Sequence, residues 1–211
     1  MLLFLVAMAC APEEVEAEVG FVAHACGPVA AFQADRRWSW ASSEGAETEA
    51  QWETEVRVLR DISARLWTQG SSQGPALSQD YSRTTELECG DGAWLLSEET
   101  QSAGLEGGVA FSRTTELRYD APVQLWPADV ANGTTWQSHY LGTSKTDDVS
   151  TPIDYTITHE VKAPAELELE AGTFRAFQVL ATDSNGVEWR YWVAREVGVV
   201  KGPDYELTAL W

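Results

Sequence analysis

The chain has 211 residues, of which 44% are hydrophobic and ten are tryptophan, enough apolar side chain to bury one sizeable core. Its 33 acidic residues outnumber its 14 basic ones, and the formal net charge of −19 excludes nucleic acid as a partner because it repels a phosphate backbone. The tryptophans indicate a sheet interior ahead of a dedicated aromatic ligand site.

The N-terminal segment is predicted to be a signal peptide followed by a tether. Residues 1–9 form an apolar run that is too short to span a bilayer but typical of the hydrophobic part of a signal peptide. Residues 10–20 are rich in glutamate and are expected to act as a spacer between a membrane and a folded domain. The folded part is then a single β-rich domain over residues 21–211.

Cys10 resembles the lipidated cysteine of bacterial lipoproteins, which directly follows a signal peptide ending in small residues. Ala7 stands where those proteins usually have leucine. The resemblance implies a lipid anchor on Cys10, a membrane as partner and export to the bacterial cell envelope. Ala11 beside the cysteine implies the outer membrane. An ordinary cleaved signal peptide is the alternative.

The two remaining cysteines are predicted to form a disulfide. If Cys10 carries a lipid, Cys26 and Cys89 are left as one pair in an exported chain, where oxidising conditions favour a bridge. Metal binding is the weaker interpretation, because no CxxC or neighbouring histidine pair supplies the other ligands of a zinc site. We therefore expect neither a metal nor another cofactor.

The segment from Trp52 to Leu66 alternates between apolar and polar residues. This period of two predicts one long strand with a bend or bulge at Arg60. A helix with Val56, Leu59 and Leu66 on one face is the alternative, but the β-branched residues favour the strand. A loop is expected over residues 69–78, which are rich in Gly, Ser and Gln.

An internal repeat follows this loop. Residues 81–89 and 111–119 share the sequence Ser-Arg-Thr-Thr-Glu-Leu, and both copies alternate in the same phase. Two copies are too few for a solenoid, so each is predicted to be a strand that faces the same core. We expect Arg83 and Arg113 to pair with acidic residues on neighbouring strands rather than to form a binding site.

The clearest hairpin lies between residues 166 and 202. Apolar residues alternate in residues 177–181 and again in residues 187–193, and Asp183-Ser-Asn-Gly186 lies between them. These four residues favour a turn because Asn and Gly accept positive φ. About ten such strands predict an all-β fold, or a β-rich fold with minor helix. We expect a single antiparallel curved sheet that forms an incomplete barrel, or a sandwich.

The second half of the chain resembles a group of bacterial envelope lipoproteins of unknown function. The similar segments are Leu125–Trp136, the Ala-Gly-Thr-Phe turn within residues 170–177, and Tyr191–Lys201 with its Tyr-Trp-Val start. Members of this group look like LolA/LolB-type curved sheets, and the resemblance implies an incomplete barrel that covers an apolar cavity. Arg195-Glu196 departs from the pattern, which commonly has Pro-Gly there. The shared motifs are structural and carry over no catalytic residue.

The sequence contains little that indicates catalysis. The histidines are His24, His139 and His159, and His159 lies on an apolar face that is typical of a core histidine. No HExxH, GxSxG or glycine-rich phosphate loop occurs, so we expect a protein that is not an enzyme. An unrecognised hydrolase is the remotest alternative.

Two non-enzymatic hypotheses remain. The first is a binder or carrier whose concave face holds an apolar or lipid-like small molecule, with Trp136, Tyr155, Trp189 and Tyr191 lining the cavity. The second is a structural or assembly lipoprotein that docks an envelope protein through a sheet edge or an aromatic surface. A large cavity favours the first hypothesis, and a filled interior favours the second.

Overall fold

A computed structural model describes residues 21–22, 36–60, 63–90, 92–195 and 197–211. The predicted signal peptide, the tether, Cys10, His24 and Cys26 lie outside these ranges, so the lipid anchor and the disulfide stay predictions. All regular elements in the described ranges are strands: β1 Phe21–Val22, β2 Arg37–Ser42, β3 Glu49–Arg60, β4 Ser63–Gln73, β5 Leu77–Gly90, β6 Gly92–Glu106, β7 Val109–Pro127, β8 Asp129–Val130, β9 Thr135–Thr146, β10 Val149–Leu169, β11 Gly172–Asp183, β12 Glu188–Ala194, β13 Gly198–Lys201 and β14 Tyr205–Leu210.

Twelve of these strands form one antiparallel sheet that closes into a barrel, in the order β10-β11-β12-β13-β14-β2-β3-β4-β5-β6-β7-β9. The all-β prediction is confirmed, but the incomplete barrel or sandwich of about ten strands is corrected to a closed barrel. Consecutive strands pair as hairpins along most of the sheet, and closure comes from the pairing of β14 with β2. β10 pairs with β9 over residues 149–160 and with β11 over residues 157–169, so only residues 157–160 of this strand have a partner on both sides. The short strands β1 and β8 pair separately.

The two ends of the folded region meet in the barrel wall. Leu207 of β14 lies opposite Trp40 of β2. Beyond this pair, the backbone nitrogen of Arg37 donates to the carbonyl oxygen of Trp211 at 2.8 Å. β2 and β14 are therefore neighbours in the sheet, although their residues are far apart in the sequence.

The predicted single strand from Trp52 to Leu66 is wrong in its topology. The alternation is real, but β3 and β4 form a hairpin in which Val56 lies opposite Leu66 and a bulge falls between Val56 and Val58. When the alternation of side chains continues in step through a hairpin, the apolar residues of both strands stay on one face of the sheet. A period of two in the sequence therefore does not show that the chain reverses direction. The loop predicted over residues 69–78 is shorter, because β4 continues to Gln73 and β5 starts at Leu77.

The hairpin of β11 and β12 confirms the turn predicted at Asp183–Gly186. The Asp183 carboxylate accepts hydrogen bonds from the backbone nitrogens of Asn185 at 2.8 Å and Val187 at 2.9 Å. Both hydrogen bonds lower the pKa of Asp183, and the bond from Val187 has the larger effect. Gly186 has φ +82°, which favours glycine. Side-chain chemistry within four residues is enough to fix this turn.

The two repeat copies lie on β5 and β7, on either side of β6. The predicted pairing of their arginines with acidic residues is confirmed: Arg83 lies 3.7 Å from Glu98, and Arg113 lies 2.5 Å from Glu106. Both pairs are partly exposed, so each contributes at most about 1 kcal/mol.

Buried residues gather in three clusters. The first lies between β9, β10, β11 and β12, the second between β2, β3 and β11–β14, and the third between β4, β5, β6 and β7. Cys89 is buried in the third cluster.

Candidate functional site

The first candidate is a group of four inward-facing residues, Trp136, Ser138, His159 and Tyr191, which we call the His159 cluster. The Trp136 and His159 rings are stacked with their centroids 4.5 Å apart. The Tyr191 hydroxyl lies 3.1 Å from His159 Nδ1, and Ser138 Oγ lies 3.1 Å from His159 Nε2. All four residues are less than 10% exposed. Both ring nitrogens of His159 thus have a partner.

The hydrogen bonds of the His159 cluster fix the histidine tautomer. Ser138 Oγ lies 2.5 Å from the carbonyl oxygen of Gln124, and only a donated proton makes that approach favourable. Ser138 has one proton, so it must accept from His159 Nε2–H. Nδ1 then accepts from the Tyr191 hydroxyl. Each donor in this chain has an acceptor while the imidazole is neutral.

Burial also keeps His159 neutral, since it lowers the pKa of the imidazole to about 4. The prediction of a satisfied core histidine is confirmed. The Ser138 hydroxyl donates to a backbone carbonyl instead of to the imidazole, so the pair lacks the hydrogen bond that activates a serine nucleophile. The cluster stabilises the interior and gives no support for hydrolysis.

Of the four residues that the sequence suggested for a ligand cavity, three lie together in a packed cluster and Tyr155 lies apart. Trp136 and Tyr191 belong to the first core cluster, and Trp189 packs against it. Tyr155 is 40% exposed and stacks on Tyr140 with ring centroids 4.6 Å apart. Trp126 fills the space beside Trp136 and Tyr191, at 5.6 and 5.7 Å between ring centroids. None of the four lines either of the two large clefts described next.

The two larger openings lie beside strands β2 to β5, near the turn that joins β2 to β3. One cleft of about 720 Å³, which we call the aromatic cleft, is lined by Trp40, Trp52, Gly70 and Tyr81 together with polar residues. A second cleft of about 740 Å³ adjoins it and reaches Leu105 of β6. The two share Ala41, Gln51, Ser71 and Asp80 as lining residues. Each volume is within the range of small-molecule sites.

Strand register places the aromatic residues of this cleft in one row. Trp40 lies opposite Trp52, Trp52 opposite Gly70, and Gly70 opposite Tyr81. Directly opposed residues share one face of a sheet. Neighbouring strands lie about 4.8 Å apart, so Trp52 and Tyr81 flank a gap of about 10 Å with no side chain between them.

Gly70 is required at the centre of this row. A Cβ atom there would lie 2.5 Å from both the Trp52 Cβ and the carbonyl oxygen of Gln51. The close approach brings Trp52 toward β4, where any side chain would displace it. The glycine therefore keeps the space between Trp52 and Tyr81 open.

The tryptophans of the row have aromatic neighbours, and Trp40 also packs against the second core cluster. Their rings are stacked at 6.2 Å, and Tyr205 of β14 meets Trp40 edge-on at 5.7 Å and Trp52 at 5.3 Å. Burial raises the pKa of the Tyr205 phenol. Trp40, Trp52 and Tyr81 remain partly exposed. The ring positions are fixed, while part of each surface is accessible.

A further inward carboxylate, Glu98, lies deeper along β6. It accepts from the Thr85 hydroxyl at 3.3 Å and pairs with Arg83. Burial raises the pKa of Tyr119, and the Glu98 charge raises it further. Because its neighbours already satisfy it, Glu98 is better explained as part of the barrel interior than as a ligand site.

No group of three His, Cys, Asp or Glu side chains in the described ranges is placed to hold a metal ion. No helix in them is long and apolar enough to cross a bilayer.

Trp40, Trp52 and Tyr81 were not predicted as site residues from the sequence. Each was read as one of many aromatic residues in alternating segments. Their alignment depends on the register of four strands, and one of those strands was not predicted separately. Gly70 marks a close approach within β4, but the sequence placed it in a loop predicted over residues 69–78.

Comparisons of this chain with protein-family models, curated proteins and solved structures gave no match. The resemblance to LolA/LolB-like envelope lipoproteins therefore stays a prediction.

Proposed function

We propose that this protein is a non-enzymatic binding protein of the bacterial cell envelope that holds a small organic molecule in the aromatic cleft. The observation that carries the proposal is the row of Trp52, Gly70 and Tyr81, in which two aromatic side chains flank a gap beside a cleft of about 720 Å³. Aromatic faces with a few polar groups are typical of small-molecule sites. The site differs from the one suggested by sequence, whose residues are divided between a packed core and the surface.

Native mass spectrometry of the full chain, purified under mild conditions from its producing cells, tests this function. We expect a co-purified small molecule on the wild-type protein, and we expect Trp52→Ala to lose it because the ring forms one wall of the cleft. Trp67→Ala is the matched control, since Trp67 of β4 lines neither cleft and lies under the Arg57 guanidinium at 3.7 Å. Retention of the molecule by Trp52→Ala would contradict the proposed site.

The envelope location rests on the N-terminal resemblance and has its own test. The proposal includes a lipid anchor on Cys10 and a disulfide between Cys26 and Cys89. Intact-mass measurement of the detergent-extracted protein, with and without a reductant, should show a lipid mass that Cys10→Ser removes, and two extra hydrogens after reduction. A mass without lipid, on a protein that still retains the small molecule in native mass spectrometry, would refute the anchor but not the cleft.

A docking function is the second candidate, and the β6–β7 hairpin favours it. Val109 is 70% exposed and Leu105 is 51% exposed near its tip. In the described chain β9 pairs with residues 115–119 of β7 only, so residues 109–112 have no strand beside them on that side. An exposed apolar edge of this kind accepts an added strand.

A photo-crosslinker placed at Val109 tests the docking function in intact cells. We expect one defined crosslinked protein if the edge accepts a partner strand, and none from the same group placed at Thr143, an exposed residue of β9. Equal crosslinking from both positions would indicate random encounters.

A further inference from the structure

The rings of the aromatic cleft lie on one face of the sheet, and its strand carboxylates lie on the other. Glu53 directly follows Trp52 on β3, and Asp80 directly precedes Tyr81 on β5. Successive side chains of a strand point to opposite faces, and no bulge interrupts the pairing of these residues. A ligand that touches the rings therefore meets the side chains that share their face, and these carboxylates do not define it.

Strand register identifies the side chains on the ring face. Gly70 is the centre of a block of nine positions on β3, β4 and β5, which we call the Gly70 block, with Trp52 and Tyr81 on either side of it. Thr68 and Ser72 lie two positions away on β4 and share its face. The residues opposite these two complete the block: Ala50, Thr54, Gln79 and Arg83. Eight side chains thus surround one position that has none, and none of the eight is acidic.

Aromatic surface borders this empty position on the β3 side. The Trp40 and Trp52 indoles are stacked with ring planes 11° apart, and Trp40 lies on β2. The second face of the Trp52 indole is therefore turned toward β4 and Tyr81. Within the described ranges, the ring contacts of Trp52 are those with Trp40 and with Tyr205 of β14, both on the β2 side of the sheet. The face turned toward β4 is accessible to a ligand.

The ring face of the Gly70 block is open to solvent at Arg83, whose side chain is 45% exposed. Arg83 lies 3.7 Å from Glu98, which is longer than a hydrogen bond, so its N–H groups can donate to another molecule. Burial raises the pKa of Tyr81, and the Arg83 charge opposes the rise, as expected for a guanidinium near the phenol. The guanidinium therefore lies beside the ring that borders the gap.

Hydrogen-bonding groups lie on both sides of the gap along the strands. Thr68 and Arg83 lie on one side, and Ser72 and Gln79 lie on the other. The Thr68 hydroxyl is 3.0 Å from that of Thr54, and two hydroxyls that share one hydrogen bond keep one proton and several lone pairs for other partners. Arg83 alone among these groups is charged, and it already has an acidic neighbour. The site favours a neutral molecule with hydroxyl groups around its edge.

A pyranose ring has this combination of features. Its C–H bonds form an apolar face, and their hydrogens carry partial positive charge that suits the negative face of an indole. Its hydroxyls project around the whole ring edge, whereas a flat aromatic molecule stacks equally well but offers few such groups. Contacts of about 3.5–4.0 Å on both faces of a ring require walls about 7–8 Å apart. Trp52 and Tyr81, on strands about 10 Å apart, can supply those walls.

We propose that the Gly70 block binds one ring of a neutral sugar, with the Trp52 indole stacked on its C–H face and Thr68 and Arg83 bonded to its hydroxyls. The inference rests on the proposed binding function and names the ligand class. The ring belongs either to a free sugar or to one residue of a glycan chain, because both present the same face and hydroxyls.

Titration of the full chain with defined probes tests the inference, measured by isothermal titration calorimetry and tryptophan fluorescence. The sugars are the methyl glycosides of glucose, galactose, mannose and N-acetylglucosamine. Cyclohexylmethanol has a ring of the same size without ring hydroxyls, and benzyl alcohol is its flat aromatic counterpart. We expect at least one glycoside to bind about fivefold or more tightly than both alcohols, because only the glycoside uses the hydrogen-bonding groups.

A tetrasaccharide of the best-bound sugar distinguishes the two sources of the ring. Tighter binding than that of the glycoside assigns the site to a glycan chain, and equal binding assigns it to a free sugar.

Variants separate stacking from hydrogen bonding. Trp52→Ala should weaken binding of the best glycoside by about tenfold or more, because the stacking surface is lost. Thr68→Val keeps the side-chain shape and removes the hydroxyl, so it should weaken the glycoside by about fivefold and leave cyclohexylmethanol unaffected. Thr84→Val is the matched control, since Thr84 lies on the other face of β5, opposite Trp67. Near-ultraviolet circular dichroism checks folding, and Thr68→Val keeps the test valid if Trp52→Ala does not fold.

The outcomes separate the inference from the proposed function. Glycoside binding that depends on Trp52 and Thr68 but not on Thr84 supports both. The sugar is overturned if no glycoside binds, if either alcohol binds as tightly, or if Thr68→Val leaves glycoside affinity unchanged. In those cases the binding function stands if native mass spectrometry still finds a Trp52-dependent molecule, and it falls with the sugar if none is found.

Discussion

The His159 cluster and the aromatic cleft each contain a row of residues that lie opposite one another on neighbouring strands. The first row is packed in a core, whereas the second borders a cleft. In the first, Trp136, His159, Ala181 and Trp189 lie opposite one another across β9–β12. In the second, Trp40, Trp52, Gly70 and Tyr81 lie opposite one another across β2–β5. Each row has a small residue third and an aromatic residue fourth.

The packing around the rows makes the difference between them. Trp126 and Tyr191 pack against the first row and complete a buried core. In the second row Tyr205 contacts both tryptophans and Trp40 also packs against the second core cluster, but two clefts remain beside the row. Aromatic residues in a sheet therefore become a core or a binding surface according to how completely other side chains pack against them.

The largest expected effect comes from removing the tryptophan of the covered row. Trp136→Ala should lower the free energy of unfolding by about 3–5 kcal/mol, because it leaves a cavity in a packed core. Trp52→Ala should cost only about 1–2 kcal/mol, because the ring is partly exposed. Urea denaturation of both variants measures the difference, and equal losses would contradict the comparison.

The next effect is a pH dependence that only the covered row should show. Burial lowers the pKa of His159 to about 4 in the folded protein, below its ordinary value of 6.5. The unfolded state therefore binds more protons, so the stability from neutral His159 is present above pH 6.5 and is lost as the pH falls toward 4. The total loss is about 3 kcal/mol.

Urea denaturation between pH 7 and pH 4 checks this prediction. His159→Gln should remove the His159 part of the slope, and His139→Gln, which changes an exposed histidine paired with Asp154, should retain it. An unchanged slope in His159→Gln would show that the buried histidine is not responsible.

A smaller effect is expected at the small residue of the open row. Gly70→Val should lower the free energy of unfolding by about 1–3 kcal/mol, because the new side chain meets Trp52 and the Gln51 carbonyl. It should also abolish ligand binding by closing the gap to Tyr81. Gly90→Ala is the control, since a Cβ there contacts nothing within 4 Å. Binding that survives Gly70→Val would place the ligand elsewhere.

The smallest effect is expected at Tyr155, which belongs to neither row. Tyr155→Ala should cost about 1 kcal/mol, the stacking contact with Tyr140, and should leave ligand affinity unchanged. Thermal denaturation measures the first quantity, and native mass spectrometry of the bound molecule measures the second. A loss of affinity would return Tyr155 to the ligand site that the sequence suggested.

Local chemistry explains which parts of the fold were predictable. The Asp183–Gly186 turn is specified by its own side chains, and the alternation of residues 81–89 and 111–119 marks strands with an apolar face. Barrel closure depends on β2 meeting β14, which are far apart in the sequence, and the hairpin after Arg60 leaves the period of two unbroken. Neither feature has a local signal.

The site was less predictable than the fold for the same reason. The sequence indicated a core role for His159 because it lies among apolar residues on one strand face. The choice of cavity residues relied on the aromatic character of Trp136, Tyr155, Trp189 and Tyr191. Aromatic character does not show whether other side chains pack against a ring. Trp52 and Tyr81 become neighbours only through Gly70, across two strand pairings.

The accessibility of individual tryptophans tests the central claim most directly. The indole nitrogen of Trp136 donates to the Leu125 carbonyl at 3.1 Å, whereas Trp52 borders the open cleft. In a nitrogen-15 correlation spectrum, a soluble nitroxide should broaden the indole resonances of Trp52 and Trp40 and leave that of Trp136 unchanged. Broadening confined to Trp136 and Trp189, with Trp52 unaffected, would contradict the account.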